Sequence, residues 1–73
     1  MVDTNALRGI IAAKGKTQQD VAYAIGIVPK TFYNKMKKGV FGSDEMESMI
    51  ELLDIENPID IFFAKEVTSQ VTE

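Results

Sequence analysis

Three polar side chains in residues 30–37 have the types and the spacing to contact a partner from one face of a helix. Lys30, Asn34 and Lys37 stand at i, i+4 and i+7, positions that lie on the same side of an α-helix. Lysine brings a positive charge with three N–H donors, and the asparagine amide brings both donors and an acceptor. A face of this kind can bind phosphate through its lysines and hydrogen-bond a nucleotide base through its amide.

The chain lacks the side chains that most catalytic sites need. It has no histidine and no cysteine, so it has no group that ordinarily titrates near neutrality, no thiolate, and no nitrogen or sulfur metal ligand. Its serines, Ser43, Ser48 and Ser69, have no plausible base beside them. A chain of 73 residues predicts one small domain without room for a deep cleft. We therefore expect no enzyme activity, no cofactor and no small-molecule ligand.

Four acidic side chains at spacings of three and four form the only stripe that resembles an oxygen-ligand set. They are Asp44, Glu47, Glu51 and Asp54. They stand opposite an apolar stripe at residues 46, 49, 50 and 53, so we expect them to face water instead of converging on one ion. The sequence therefore predicts no metal site.

The charge of the chain is divided between its two halves. Residues 1–43 carry seven basic side chains against two acidic ones, a balance of +5. Residues 44–73 carry one lysine against nine acids, a balance of −8. Such asymmetry favours contact of the first half with a polyanion. A chance distribution over solvated faces is the alternative that charge alone leaves open.

Apolar residues recur at helical spacing almost throughout, which predicts an all-α fold of five short helices. The first helix has Asp3 or Thr4 as its N-cap and ends at Gly15. The second begins at Thr17, which has an acid three residues later in a near capping-box position. Gly26 ends this helix with left-handed backbone.

The remaining three helices follow from similar start and stop signals. Pro29 suits the first turn of the third helix, and Gly39 ends it. Ser43 is expected to cap the fourth helix, whose first turn is acidic. The fifth is a short helical segment that starts at Pro58 and runs to Phe63.

The residues from the second helix to the third match a known motif. The chain resembles the helix-turn-helix of the lambda-repressor-like and Cro-type family in the pattern Thr17-Gln18-x-x-Val21-Ala22-x-x-x-Gly26-Ile27-Val28-x-x-Thr31-Phe32. The resemblance covers residues 5–63, with small phage-repressor-like proteins as the nearer likeness. It implies a five-helix DNA-binding domain whose helix-turn-helix is formed by helices two and three.

Two positions depart from the family pattern. Val28 stands where the family prefers Ser or Thr to cap the third helix, and valine has no oxygen with which to do so. The family's next apolar position after Phe32 is Lys35 here, and Met36 is the hydrophobic residue instead. Phe32 and Met36 form an i, i+4 pair, so we expect the helix to keep its inner face with slightly rotated packing.

The outer face of the third helix follows from its inner one. Stepping about 100° per residue from Phe32 places Met36 inward and the face of Lys30, Asn34 and Lys37 outward. Side chains near the start of such a helix reach base edges in the major groove, and the others meet phosphate. The predicted base contacts are Lys30, Thr31 and Asn34, with Tyr33 beside them. The predicted phosphate contacts are Gln18, Lys35, Lys37 and Lys38.

The function predicted from these features is that of a sequence-specific DNA-binding transcriptional regulator, of the phage or prophage repressor kind, which occupies an operator. Its partner would be double-stranded DNA. One alternative is an antitoxin or excisionase-like factor whose acidic half holds another protein. A second is a protein–protein adaptor that has the same helices and does not bind DNA. A solvated basic helix face remains the purely structural explanation.

A homodimer is predicted to form through the C-terminal third, at least on DNA. One helix-turn-helix reads only a few base pairs, so specificity normally requires two. The candidate interface consists of Ile59, Ile61, Phe62 and Phe63, four large apolar residues within five positions. The alternative is that Ile59, Phe62 and Phe63 complete the core and only Ile61 is exposed.

The two ends of the chain add little chemistry. The sequence opens without a signal-peptide pattern and contains no apolar run of membrane-spanning length, which together with the absence of cysteine predicts a cytoplasmic protein without membrane contact. The domain is predicted to occupy residues 1–63. Residues 64–73 are mostly polar, and we expect them to form a loosely ordered tail.

Overall fold

Five α-helices make up residues 1–64, which are the residues that the computed structural model describes. The helices are α1 (Thr4–Ala13), α2 (Gln18–Ala24), α3 (Pro29–Lys38), α4 (Ser43–Leu53) and α5 (Pro58–Phe62). Residues 1–64 contain no strand, so the all-α prediction is confirmed for this part of the chain. None of the five helices has the length and the apolar character to cross a membrane. Apart from Ala64, the predicted tail lies outside the described residues.

Side-chain caps start α1 and α2 where the sequence predicts them. The carboxylate of Asp3 accepts a hydrogen bond from the Ala6 N–H at 3.1 Å. At α2, the Thr17 hydroxyl accepts from the Asp20 N–H at 3.1 Å, and the Thr17 N–H donates back to the Asp20 carboxylate at 2.9 Å. That backbone donor lowers the pKa of Asp20 below its ordinary value, and a second hydrogen bond with the Thr17 side chain adds to the effect. The predicted capping box is therefore confirmed.

The start of α4 differs from the prediction by one residue. Gly42, and not Ser43, is the N-cap, because its carbonyl already accepts the first helical hydrogen bond, from Met46 N–H at 3.0 Å. The Gly42 N–H donates to the carboxylate of Glu45 at 2.8 Å, and Ser43 is the first helical residue. The prediction that Ser43 caps the helix is wrong, because Glu45 satisfies the free donor at this end from within the helix.

The turn between α2 and α3 depends on Gly26. Its φ of 87° is left-handed, which confirms the prediction from sequence. Two hydrogen bonds close the helix across it, from Ile27 N–H to the Ala22 carbonyl at 3.0 Å and from Gly26 N–H to the Tyr23 carbonyl at 3.2 Å. This is the Schellman pattern, and it turns the chain sharply towards the start of α3 at Pro29.

A single core lies between the helices. Its fully buried side chains come from α1 to α4 and are led by Phe32, Leu7, Met49, Leu53 and Val21. Ala22 of α2 is also fully buried, and α2 packs on α3. Phe41, in the connection after α3, packs on Phe32 with ring centroids 5.4 Å apart. The core thus holds α3 through its inner face.

Asp54 is the only residue other than glycine with a positive φ among residues 1–64. It ends α4 with φ of 51°. A left-handed conformation is unfavourable for a residue with a β-carbon, and a carboxylate is unfavourable at a helix C-terminus. We expect Asp54→Gly to raise the free energy of unfolding by about 0.5–1 kcal/mol, as measured by urea denaturation. Glu51→Gln, which removes an exposed acid from the same helix without a backbone effect, is the control. A loss of stability in Asp54→Gly would contradict this explanation.

Candidate nucleic-acid interface

The structure turns α3 so that its polar face is exposed. Phe32 and Met36 are buried in the core, which fixes the rotation of the helix about its axis. Lys30 and Asn34 are exposed on the opposite side. The predicted inner and outer faces of α3 are therefore both present. Because α3 contains four lysines and no acid, its outer face is positively charged.

The other predicted contact residues of α3 border this face. Lys37 and Lys38 are exposed in the last turn of α3, and Tyr33 is about half exposed at 47%. Thr31 is half-buried, so only part of its side chain is available to a partner. Basic side chains in the last turn also stabilise a helix through its dipole, which gives Lys37 and Lys38 a structural reason to be basic as well.

The start of α3 has no side-chain cap. Val28 is the N-cap residue in extended conformation and makes no side-chain hydrogen bond, as its departure from the family pattern predicts. Pro29 follows as the first helical residue and has no N–H to satisfy, which lowers the cost of the missing cap. Val28 itself is exposed, so the first turn of α3 presents an apolar side chain beside Lys30. Sequence reasoning treated Val28 only as a lost cap and did not identify it as surface.

Gln18 lies on a different helix from the other candidates. It is the first residue of α2 and is half-buried, whereas its neighbour Gln19 is exposed. The α2 and α3 helices pack against each other, so Gln18 belongs to the same helix pair as the basic face. Its phosphate contact stays a prediction.

Lys35 is placed differently from the other lysines of α3. Its ammonium nitrogen is 3.2 Å from the Glu45 carboxylate of α4, and the two side chains are 31% and 18% exposed. This is the only ion pair among residues 1–64. Sequence reasoning missed it because the two residues are ten positions apart on different helices, and helical spacing relates only residues three or four apart. Glu45 carries one local signal, its position three residues after the N-cap of α4.

The predicted acidic stripe of α4 is exposed to solvent. Asp44, Glu47, Glu51 and Asp54 are all exposed, as expected for a solvated helix face. Within residues 1–64, no group of acidic side chains is arranged to hold a metal ion.

The four candidate interface residues of the C-terminal third separate into three environments. Ile59 and Phe63 are 71% and 62% exposed, Ile61 is half-buried, and Phe62 is a core residue with 2% exposed. Phe62 therefore offers no surface to a partner in this fold, because its side chain fills the protomer's own core. The alternative distribution, with only Ile61 exposed, is also wrong: the exposed residues are Ile59 and Phe63. Their i, i+4 spacing places both on one side of α5 and its end.

Comparisons of the chain with protein-family models, with curated proteins and with solved structures find no match.

Proposed function

We propose that the protein is a sequence-specific DNA-binding transcriptional regulator of the phage-repressor kind. The observation that carries this proposal is the division of α3 into two faces. Phe32 and Met36 anchor one face in the core, and Lys30 and Asn34 stand exposed on the other. A helix held in this way can enter the major groove with its polar side chains leading.

The junction of α2 and α3 supports a helix-turn-helix of the lambda-repressor-like kind. Two helices that cross near a turn must approach closely, and α2, which packs on α3, carries the fully buried small residue Ala22. The left-handed Gly26 allows the short connection, residues 25–28, between the two helices. Such a pair presents its second helix to DNA as a rigid unit.

The proposed contacts divide by the part of DNA that they meet. Lys30 lies in the first turn of α3 and can reach guanine O6 and N7, whereas Asn34 can pair with adenine N6 and N7. Thr31 and Tyr33 flank them. Lys37 and Lys38 are nearer the C-terminal end, where phosphate is the expected partner. Binding at an operator that overlaps a promoter would repress transcription by occupancy.

Strongly salt-dependent binding to duplex DNA is the expected result of the first experiment. Selection from a random duplex pool yields the preferred site, and band shifts over a range of salt concentration then give the dependence. If roughly four to six phosphates are engaged per subunit, log affinity falls against log salt with a slope near −0.9 for each. Lys14→Gln, which removes an exposed lysine outside α3, is the matched control and should leave the slope unchanged.

A flat salt response, or no shift of any duplex, would contradict DNA binding. In that case an adaptor function would be favoured, because its partner is protein. A specific protein that co-purifies with a DNA-binding chain would instead favour the antitoxin or excisionase-like alternative, in which the acidic half is the contact surface.

We further propose that the protein binds DNA as a homodimer through Ile59 and Phe63, with Ile61 at the edge of the interface. The support is that, among residues 1–64, two large apolar side chains are exposed on one side of α5 and its end, Ile59 and Phe63. A second copy would bury them and place two copies of α3 on one near-palindromic site.

The dimer predicts that Phe63→Ser weakens self-association by about tenfold or more, since a buried aromatic anchor contributes at least about 1–2 kcal/mol. Analytical ultracentrifugation with and without the selected duplex measures this change. Tyr23→Ser is the matched control, because Tyr23 is also 62% exposed but lies on α2. A strict 1:1 complex on the full site, unaffected by Phe63→Ser, would contradict the dimer.

A further inference from the structure

One carboxylate oxygen of Glu45 has two partners. Its Oε1 accepts the hydrogen bond from the Gly42 N–H at 2.8 Å, which completes the start of α4. The same oxygen is 3.2 Å from the ammonium nitrogen of Lys35. Glu45 therefore joins the first turn of α4 to a lysine of α3, and its negative charge is held in place by the backbone that it caps.

The backbone of Lys35 is held at the end of α3. Its backbone carbonyl accepts hydrogen bonds from Gly39 N–H at 2.8 Å and from Val40 N–H at 3.2 Å, and these bonds close the last turn of α3. The ammonium group of its side chain contacts Glu45 of α4, the helix that follows the connection of residues 39–42. Phe41, within this connection, packs on Phe32 of α3, so an apolar contact and an ion pair both hold the corner between α3 and α4.

Lys35 also differs from the other lysines of α3 in exposure and in local charge. Lys30, Lys37 and Lys38 are exposed, whereas Lys35 is half-buried beside its counter-charge. Partial burial strengthens the attraction between Lys35 and Glu45 relative to a pair in open water. If Lys35 turned to a phosphate, it would leave this partner, and the fixed carboxylate would remain close to the DNA and repel it.

We propose that Glu45 is a positioning residue that withholds Lys35 from DNA and holds the C-terminal turn of α3 on α4. The binding face of α3 then has three available cations, Lys30, Lys37 and Lys38, instead of four. This inference rests on the proposed DNA-binding function, and it replaces the phosphate contact predicted for Lys35 from the sequence.

The test measures the slope of log affinity against log salt concentration, for one selected duplex and three single variants. Lys38→Gln should reduce the slope by about 0.9, as expected for one lost phosphate contact. Lys35→Gln removes no phosphate contact, so it should reduce the slope by clearly less than about 0.9, and the small loss comes from the unpaired Glu45 carboxylate. Glu45→Gln keeps an oxygen that can accept from the Gly42 N–H but has no charge to hold Lys35. It should steepen the slope by about 0.9. The affinity of this variant relative to the wild type would then increase about eightfold as the salt concentration falls from about 1 M to about 0.1 M.

The double variant Glu45→Gln with Lys35→Gln separates charge release from a change of shape. If Glu45 acts by withholding Lys35, the double variant should return to the wild-type slope. A reduced slope in Lys35→Gln alone, equal to that of Lys38→Gln, would overturn the inference while leaving DNA binding intact. A steeper slope that persists in the double variant would overturn it as well. If the wild-type chain binds no duplex, the proposed function fails, and this inference fails with it.

Discussion

Asn34→Ala or Lys30→Ala is expected to weaken binding to the selected site by about 1–3 kcal/mol, or roughly 5- to 150-fold, and to blur the preference at one base pair. The physical reason is that Phe32 and Met36 fix the rotation of α3, so the two polar side chains stand on its exposed face. Each supplies hydrogen bonds that discriminate between base edges. Competition band shifts against duplexes changed at single positions measure both effects.

Lys38→Ala is the matched variant for this prediction. It lies at the C-terminal end of the same helix and removes the same charge as Lys30→Ala. Because a phosphate contact carries no sequence information, it should weaken all duplexes by a similar factor. Circular dichroism should show unchanged helix content in all three variants, since the replaced side chains are exposed. Equal losses from Lys30, Asn34 and Lys38 variants, without altered base preference, would contradict direct readout by α3.

The helices of this protein could be predicted from sequence because their signals are local. Thr17 and Asp20 form two hydrogen bonds with each other within one turn. Gly26 adopts a left-handed conformation that is unfavourable for residues with a β-carbon. The inner face of α3 was equally predictable, since the i, i+4 spacing of Phe32 and Met36 determines a helix face wherever the helix packs. For the same reason, the outward position of Lys30 and Asn34 needed no knowledge of the fold.

The environments of α5 could not be predicted in the same way. Four large apolar residues fall within five positions, and a helix of five residues can bury several different subsets of them. Contacts with residues distant in the sequence determine which of the four side chains are buried. The Ile61 carbonyl accepts a hydrogen bond from the Asp3 N–H at 2.7 Å, which ties α5 to the start of α1. In this arrangement Phe62 is directed into the core, and Ile59 and Phe63 are left exposed.

The position of Lys35 was unpredictable for a related reason. Its spacing from Phe32 suggested only that it lies beside the inner face, and its charge suggested phosphate. The structure adds Glu45, whose direction is set by the Gly42 N–H at the start of a different helix. Sequence patterns within one helix give the direction of a side chain, whereas its partner across a loop depends on the packing of two helices.

Ala22→Leu is expected to cause the largest loss of stability among the variants considered, and to remove DNA binding with it. Ala22 is fully buried in the core on α2, the helix that packs on α3, so a leucine there would overpack the core beside the junction. Overpacking of this kind costs typically about 1–3 kcal/mol, and a shift of α2 would disturb α3, which carries the proposed contacts. Urea denaturation gives the cost. Ala24→Leu, at an exposed position of the same helix, is the control and should change stability by no more than about 0.5 kcal/mol.

A change at Gly26 tests the same junction through the backbone alone. A β-carbon at Gly26 would have no contact within 4 Å beyond its chain neighbours, so any loss must come from its φ of 87°. Gly26→Ala should therefore cost about 1–2 kcal/mol. Gly9→Ala, in α1 and equally free of contacts, should instead gain about 0.5–1 kcal/mol because alanine favours the helix. Stability changes of opposite sign in Gly26→Ala and Gly9→Ala would show that backbone strain, and not packing, causes the loss at Gly26. If Gly26→Ala were neutral, the left-handed turn would not explain how α2 and α3 are joined.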